Sequence, residues 1–517
     1  MPAFTPPPSA PLVVEIAPPR YGESSLSVAS HGYRYVVTGN TLLPPKLIEQ
    51  VLAAAVTPKD ALRTLQATYH AHGYNLIAIT GQENGKAVAV TVFEGTITQV
   101  STPDGLGWFF PYLEGRNDIK ANELVYDQIL AGAYAARSGK QVNVNVSPAE
   151  NPGGTAITIT DSPLPDYQPV AGMLSFGNYG NRYSSGYIAG GDVQANLTHG
   201  IQITANYMRG LPGLRSSSFG STYYQGGGGI SAVTPYGIYG FSATGTYFRL
   251  GQETAPLNPV GNIYTYTLNG SQLVYADTAT RLSVTEALNR TSYTETVLSG
   301  YYTLLRQVYN WGTLGGTLSR AVTVSGQSGN LTASVNLNVG LSAPSGTLYD
   351  NAPGVPTSHF RYVIASVSYQ QNLPRGFRVN LVGQGQWAFN TLPSQQQWTL
   401  GGLGDMTAWE PGSVAGDSGY LGRLALDAPS LNRFRTEAQF GVFLETGGVT
   451  YTTPAAGTAP WQTLIDAGVS LKLNLPYKFT ITAMAAVPLE HGGFNAVGET
   501  SLRLNRINAF MVVQKRF

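Results

Sequence analysis

The side chains that could perform covalent or acid–base chemistry are few and scattered. The chain has no cysteine, which excludes thiol catalysis and cysteine-ligated metals. His70 and His72 stand two positions apart in a predicted helix, so they point to different faces and cannot ligate one metal ion. No local Ser-His-Asp motif or helically spaced carboxylate pair is present. The sequence therefore predicts no enzyme, cofactor or metal site, and a hydrolase stays an alternative only through residues assembled at long range.

The composition indicates a chain that has both an apolar and a polar environment. Charged residues make up 11% of the 517 residues, less than half of the share usual in soluble proteins. No run of 18 apolar residues occurs, which excludes a helical membrane protein. The 61 glycines and 31 tyrosines are typical of a barrel with one face in lipid and the other in water. A net charge of +1 argues against a nucleic-acid partner.

From Val170 to Phe517 the sequence consists of segments in which polar and apolar residues alternate. Asn330–Leu341 and Thr463–Leu475 are clear examples. Alternation over ten or more residues is typical of transmembrane β-strands, which cross the hydrocarbon at a tilt, whereas the strands of a soluble sandwich average about five or six residues. There are about sixteen segments, with the region 262–310 hard to divide, and bacterial barrels have even strand numbers. The prediction is a closed transmembrane antiparallel β-barrel of about sixteen strands in contact with outer-membrane lipid.

Two similar modules precede the predicted barrel. Residues 1–30 are rich in proline and are predicted to be an extended linker. Residues 31–95 have the pattern β-α-α-β-β, with a hairpin at Asn84-Gly85, and residues 96–165 repeat this order with a helical region inside 109–120. The repeat indicates one α+β module used twice, followed by the barrel at 166–517.

The first residues and the last predicted strand carry information about export and membrane assembly. Met1–Ser9 lack the charged and apolar regions of a signal peptide, so we expect that the export signal has been removed. The last predicted strand, Ser501–Phe517, alternates and ends in an aromatic residue. Phe517 is therefore predicted to be part of the signal by which the barrel-assembly machinery recognises outer-membrane barrels.

Several short motifs occur in an order that resembles a known family. These motifs are Val37-x-Gly39-Asn40-Thr41, Gly177-Asn178-Tyr179-Gly180, Gly416-Asp417-x-Gly419-Tyr420 and Phe443-x-Glu445-x-Gly447. Together with the two modules and the barrel, they resemble the TpsB (FhaC/ShlB/HecB-like) transporters of two-partner secretion, which are relatives of the barrel-assembly protein BamA. The resemblance covers nearly the whole chain and identifies the modules as two POTRA domains.

The resemblance implies a long loop that folds back into the lumen near residues 401–419. Its residues are expected to be Gly401, Gly402, Asp405, Met406, Thr407, Ala408, Trp409, Asp417 and Gly419. Its partners on the barrel wall are expected to be Phe443, Glu445 and Gly447. Residues 1–30 contain too many prolines for the helix that often threads the pore in this family, so that helix is absent or was removed.

The loop of this chain departs from the family pattern. The family usually has Val-Arg-Gly-aromatic, whereas this chain has Met406-Thr407-Ala408-Trp409, and the usual wall aspartate is Glu445. One hypothesis is that a Thr407–Glu445 hydrogen bond replaces the charge-assisted pair and holds the loop less firmly. A second is that Arg423 or Arg435 reaches Glu445, and a third is that the loop is repurposed and secretion is lost.

The resemblance also implies a function. It predicts an outer-membrane translocator with periplasmic POTRA domains, which captures an unfolded partner, a large β-helical exoprotein, and passes it through the barrel. No nucleotide-binding motif is present, so folding of the substrate outside is expected to supply the free energy. Unpaired strand edges could bind an extended chain, and they are predicted at Val88, Val90, Val92, Val142, Val144 and Val146. The alternatives are a porin-like or polysaccharide-passing channel and a BamA-like assembly factor.

Overall fold

The computed structural model describes residues 25–150, 154–214, 220–345, 347–348, 355–433, 435–454, 459–494 and 507–517. The first module contains six elements: β1 (Leu26–Ser30), β2 (Tyr33–Thr38), α1 (Pro45–Ala54), α2 (Pro58–Ala71), β3 (Ala78–Asn84) and β4 (Ala87–Phe93). Its sheet has the order β1-β2-β4-β3, and both helices pack on one face of it around Tyr35, Leu52 and Leu65. The predicted β-α-α-β-β order is present, with β1 added from residues predicted to be linker.

The position of β4 corrects one of the predictions. β4 lies between β2 and β3 and pairs with both. Val88, Val90 and Val92 are buried in the module core, so the prediction of an open edge at these residues is wrong. The Asn84-Gly85 turn predicts the hairpin, but a hairpin does not determine which of its strands pairs further. The edges of this sheet are β1 and β3.

The second module has three strands and one long helix: β5 (Thr96–Ser101), α3 (Ala121–Arg137), β6 (Lys140–Pro148) and β7 (Gly154–Pro163). The sheet order is β5-β7-β6, so β6 is an edge strand. The helix predicted within 109–120 is not formed; a short 3-10 turn at Gly107–Phe109 precedes an irregular segment. Pro111 and Gly115 disfavour a helix there, and Phe109, Phe110 and Leu113 pack directly into the core.

The strands after the second module are, in chain order, β8 (Val170–Gly177), β9 (Ile188–Asn196), β10 (Ile201–Gly210), β11 (Thr222–Thr234), β12 (Gly237–Arg249), β13 (Val260–Ala276), β14 (Thr280–Val297), β15 (Tyr302–Val324), β16 (Gln327–Ser342), β17 (Arg361–Asn372), β18 (Arg378–Ala388), β19 (Trp398–Leu400), β20 (Val414–Gly416), β21 (Ser418–Asp427), β22 (Leu431–Arg433), β23 (Thr436–Thr450), β24 (Gln462–Leu475), β25 (Phe479–Gly492) and β26 (Asn508–Arg516). All except β19 and β20 belong to a closed antiparallel barrel, which β26 completes by pairing with β8. β22 extends β21, because both pair with β23, so the described residues form 16 barrel strands. This confirms the predicted fold class.

Alternating residues take opposite sides of the barrel wall, as predicted. On β23, Phe440, Val442 and Leu444 are about half exposed, whereas Phe443 and Glu445 are buried. The exposed set lies on the outer face of the barrel, and the buried set faces the lumen. None of the helices in the described residues is long and apolar enough to cross a membrane.

The second module is fixed to one end of the barrel by α3. The Arg137 guanidinium donates from Nη1 to the carbonyl oxygens of Gly200 (2.7 Å) and Ser231 (2.9 Å), and from Nη2 to Ser231 Oγ (3.1 Å). Val233 and Ile238 of the barrel join the apolar core of the module. Burial lowers the pKa of Arg137 to about 10, so the side chain stays charged at neutral pH. The module therefore lies against β10–β13 at that end of the barrel.

We predict that Arg137→Met loosens the second module from the barrel. The substitution removes three donors to barrel oxygens, and hydrogen bonds to a charged group each contribute about 1.5–3 kcal/mol. Hydrogen exchange of the α3 amides in the detergent-solubilised chain should become at least about tenfold faster, while Arg63→Met on exposed α2 should leave it unchanged. Equal α3 exchange in all three proteins would contradict a fixing role for Arg137.

Candidate functional site, a loop folded into the lumen

Residues 401–413, here called the lumen loop, join two short strands inside the barrel. β19 and β20 pair with Trp398 opposite Gly416 and Leu400 opposite Val414, which closes the base of the loop. Gly401 and Gly402 have φ values of +115° and +120°, in the left-handed region that favours glycine. A Cβ atom on Gly401 would lie 2.2 Å from the carbonyl oxygen of Glu410. The two glycines therefore allow the chain to turn back tightly.

Apolar side chains seat the lumen loop against the barrel wall. Met406 and Trp409 are completely or almost completely buried. They form one cluster with the loop-base residues Leu400 and Val414 and the wall residues Leu421, Val449 and Leu464. Gly447 belongs to the same contact, because a Cβ atom there would lie 2.9 Å from Leu400 Cδ1 and 3.2 Å from Met406 Sδ. A glycine on the wall thus allows the loop to approach closely.

Beneath the loop, three charged side chains form a row across adjacent strands. Arg423 on β21 is directly opposite Glu445 on β23, and Glu445 is directly opposite Asp466 on β24. Arg423 Nη1 donates to Glu445 Oε1 at 2.7 Å, and its guanidinium lies 4.4 Å from the centre of the Phe443 ring. Glu445 and Asp466 have no exposed surface. The row is therefore a buried ionic site on the lumen side of the wall.

The loop binds this row through backbone amides. Thr407 N–H donates to Glu445 Oε2 at 2.6 Å, and Ala408 N–H donates to Asp466 Oδ2 at 2.8 Å. These two hydrogen bonds are here called the latch. The hydroxyl of Thr407 does not face Glu445, because it accepts a hydrogen bond from Gly404 N–H within the loop. The predicted Thr407–Glu445 hydrogen bond exists, but the main chain makes it.

The hypothesis that another arginine reaches Glu445 holds for Arg423. Arg435 is exposed in the turn before β23 and takes no part. The alternation of polar and apolar residues predicts that Glu445 faces the lumen, and the same alternation on β24 predicts this for Asp466. The alternation does not give the register between strands, however, and only the register brings Asp466 opposite Glu445. Asp466 was therefore missed as a site residue.

Further contacts hold the loop from the two sides of the barrel seam. Asn508 at the start of β26 donates from Nδ2 to the carbonyl oxygens of Thr407 (3.2 Å) and Trp409 (3.3 Å). Asn181, between β8 and β9, donates to the carbonyl oxygen of Pro411 at 2.7 Å. Arg182 lies 3.5 Å from the Glu410 carboxylate. The loop is thus attached to the wall from β21 through the β26–β8 seam to β9.

The remaining predicted residues serve the base of the loop. Asp417 is fully buried and accepts hydrogen bonds from Leu392 N–H (3.0 Å) and Thr452 N–H (2.9 Å), which ties the base to two neighbouring connections. A Cβ atom on Gly419 would lie 2.2 Å from Trp398 Cδ1. Asp405 is half-buried, and burial, together with the nearby Glu445 carboxylate, raises its pKa to about 7.

The described residues thus form two small modules, the second fixed to one end of a 16-strand barrel, with a loop seated inside the barrel. The model of the family described as haemolysin secretion/activation protein ShlB/FhaC/HecB matches residues 153–475, more than half of the chain. The chain therefore belongs to the ShlB/FhaC/HecB family. This places the barrel in the outer membrane and the two POTRA modules in the periplasm.

Individual proteins show a short stretch of similar sequence or a similar fold. The heme/hemopexin transporter protein HuxB of Haemophilus influenzae is 38% identical over 66 residues, which are 13% of this chain and only 12% of the length of HuxB. CdiB from Escherichia coli has the same fold, with a TM-score of 0.75 and 18% identity over 98% of this chain and 94% of CdiB. CdiB from Acinetobacter baumannii gives a TM-score of 0.69 and 15% identity over 98% and 93% of the two chains.

We predict that Glu445→Gln weakens the latch. The change removes the charge that Arg423 pairs with and turns a charge-assisted hydrogen bond into a neutral one, which is about half as strong. The Thr407 and Ala408 amides should exchange with solvent at least about tenfold faster in the variant. Glu437→Gln is the matched control, because Glu437 lies on the lumen side of the same strand and contacts Asn474 instead of the loop. Unchanged exchange in Glu445→Gln would rule out a latch at this carboxylate.

Proposed function

We propose that this chain passes an unfolded partner protein, a large β-helical exoprotein, from the periplasm through its barrel in two-partner secretion. The observation that carries the proposal is the lumen loop, which is fixed to the wall by two backbone hydrogen bonds and one apolar cluster instead of being built into the sheet. An attachment of this kind can open while the barrel stays closed. A permanently open porin would have no use for a removable loop on the wall of its own channel.

The wall away from the loop suits the passage of an unfolded chain. Ile203, Ile230 and Phe241 are exposed on the outer face of β10–β12, so the alternate positions face the lumen. Those positions are small and uncharged: Thr204, Asn206, Gly227, Gly229, Ser242 and Thr244. A smooth and neutral wall binds no particular side chain tightly, and it supports a substrate of varied sequence moving past it.

The edge of the second module supports capture of an extended chain. Leu164 N–H donates to Gly139 O, and Ala149 N–H donates to Gly154 O, at the two ends of the β6–β7 ladder. In an antiparallel pair the residues alternate between bonding the partner strand and pointing away, so the N–H groups of Val142, Val144 and Val146 point away from β7. Val142 O already accepts from Gln128, and Val144 and Val146 offer the free edge. An extended segment of the partner would add to β6 as a further strand.

The energy source in this proposal is the substrate. The sequence has no nucleotide-binding motif, and the periplasm supplies no ATP. Folding of the exoprotein outside the cell would remove the free chain from the exit and bias its movement outward. The role of Phe517 in recognition by the assembly machinery belongs to the same proposal; in the structure its N–H and carbonyl groups pair with Gly172 across the seam.

We predict that deleting the gene removes one large protein from the culture supernatant. Expression of the Val144→Pro variant in the deletion strain should restore secretion of that protein only poorly. Proline at 144 removes an outward N–H without breaking the β6–β7 ladder, so secretion should fall about five- to tenfold, as expected for one lost hydrogen bond. Val144→Thr keeps the N–H and should secrete normally. Mass spectrometry of the supernatants gives the measurement. A deletion strain that loses no exoprotein contradicts the proposed function, whereas full secretion by Val144→Pro contradicts only the capture edge.

A further inference from the structure

The site under the lumen loop holds more acidic groups than one guanidinium can balance. Glu445 faces Arg423 from β21, Asp466 from β24 and Asp405 from the loop. Among the described residues of the other packed elements, β25 places Pro488 opposite Asp466, and β26 contributes the amide of Asn508. Among the described residues, three carboxyl groups thus share one arginine, and two of them, those of Glu445 and Asp466, have no exposed surface. Burying that many charges without compensation is unfavourable.

The hydrogen bonds show which carboxyl oxygen lacks a donor. Glu445 uses both oxygens, one toward Arg423 and one toward Thr407 N–H. Asp466 uses Oδ2 toward Ala408 N–H, but no donor in the described residues reaches its fully buried Oδ1. The side chains of Asp466 and Glu445 are neighbours on the lumen face, because the two residues are directly opposite on adjacent strands. Two ionised carboxylates could not hydrogen-bond to each other there, because neither has a proton to donate.

We propose that Glu445 and Asp466 share one proton, and that this proton holds the lumen loop in place. With the proton, the pair carries a single negative charge, which Arg423 balances, and every oxygen has a partner. Without it, two adjacent carboxylates repel each other directly beneath the latch. The loop is then released, and the carboxylates gain access to water in the lumen. The barrel therefore has a closed state favoured by acid and an open state favoured by alkali.

A proton fits this site better than a metal ion. The Arg423 guanidinium already occupies the cationic position at Glu445, at 2.7 Å, and would repel a second cation. In the described part of the chain, no three His, Asp or Glu side chains are arranged to hold a metal ion. A proton needs only two oxygen atoms, which the pair provides.

The direction of the pH effect follows from linkage. The docked state binds one more proton than the released state, in which water surrounds each carboxylate. Between the pH at which the released pair loses its proton and the higher pH at which the docked pair loses it, the equilibrium constant for release rises by about tenfold per pH unit. Below and above this window, release is independent of pH. The inference concerns regulation of the proposed translocator, but the pH effect itself needs no partner protein.

The test is hydrogen exchange of the Thr407 and Ala408 amides in the full chain in lipid nanodiscs, from about pH 5 to about pH 9, corrected for intrinsic exchange. The wild type should show release that rises by about tenfold per pH unit over part of this range. Asp466→Asn should show no such rise, because the asparagine carbonyl accepts from Ala408 N–H and its NH₂ group donates permanently to Glu445. Channel conductance in planar bilayers should follow the same two profiles.

Two controls make each outcome decisive. Asp427→Asn changes a carboxylate on β21 that contacts Asn380 and not the loop, so the slope should remain. Asp405→Asn should also retain the slope; a flat profile there would assign the proton to Asp405 and overturn the proposal. A flat wild-type profile, or an Asp466→Asn profile with the slope intact, would overturn it as well. A change in the migration of the barrel on a denaturing gel after heating shows that each variant is folded before heating. None of these results depends on secretion, so the switch and the proposed function can fail separately.

Discussion

The pairing of β26 with β8 is the interaction on which the rest of the structure depends. A strand edge exposed to hydrocarbon would leave a row of N–H and C=O groups without partners, each at a cost of several kcal/mol, so the sheet must close. Only five register pairs join these strands, from Val512–Gly177 to Arg516–Met173, compared with eight between β25 and β26. The Asn178 side chain extends the seam by bonding Met511 N–H and Ala509 O. Closure thus combines main-chain pairing with one side-chain amide.

Closure also creates the environment of the lumen loop. Once the sheet is sealed, the outer face must be apolar and the inner face can be polar, so charged residues such as Arg423 and Glu445 can be placed on the inside of a transmembrane strand. A loop folded against that face brings N–H groups that need acceptors. The two carboxylates provide them for Thr407 and Ala408, and the apolar cluster around Trp409 excludes water from these hydrogen bonds. The latch therefore forms only when the closed barrel brings the loop amides, the wall carboxyl groups and the apolar cluster together.

The parts that could be predicted from sequence are those governed by local periodicity. Alternation places Leu444 outside and Glu445 inside, because successive side chains of a strand point to opposite faces. What the sequence could not give is the pairing between distant segments. The same hairpin signal fits β4 as an edge or as an inner strand, and the burial of Val90 shows that it is inner. Likewise, the Glu445–Asp466 contact depends on a register that neither strand encodes alone. The irregular segment after Phe109 satisfies the module core without the expected helix.

Whether the arginine that pairs with Glu445 belongs to the loop or to the barrel wall determines whether release of the loop breaks a buried ion pair. In the family pattern that this chain resembles, the guanidinium belongs to the loop, so withdrawal of the loop separates a buried ion pair. Here Arg423 and Glu445 are both on the wall, so the proposed release of the loop would leave them paired. At the row the loop would lose two backbone hydrogen bonds, and elsewhere it would lose the burial of Met406 and Trp409 and the contacts from Asn508, Asn181 and Arg182. Because breaking a buried ion pair is strongly unfavourable, keeping the pair intact makes release easier. The row itself needs no side chain from residues 407 and 408, since any residue other than proline provides the same N–H to it.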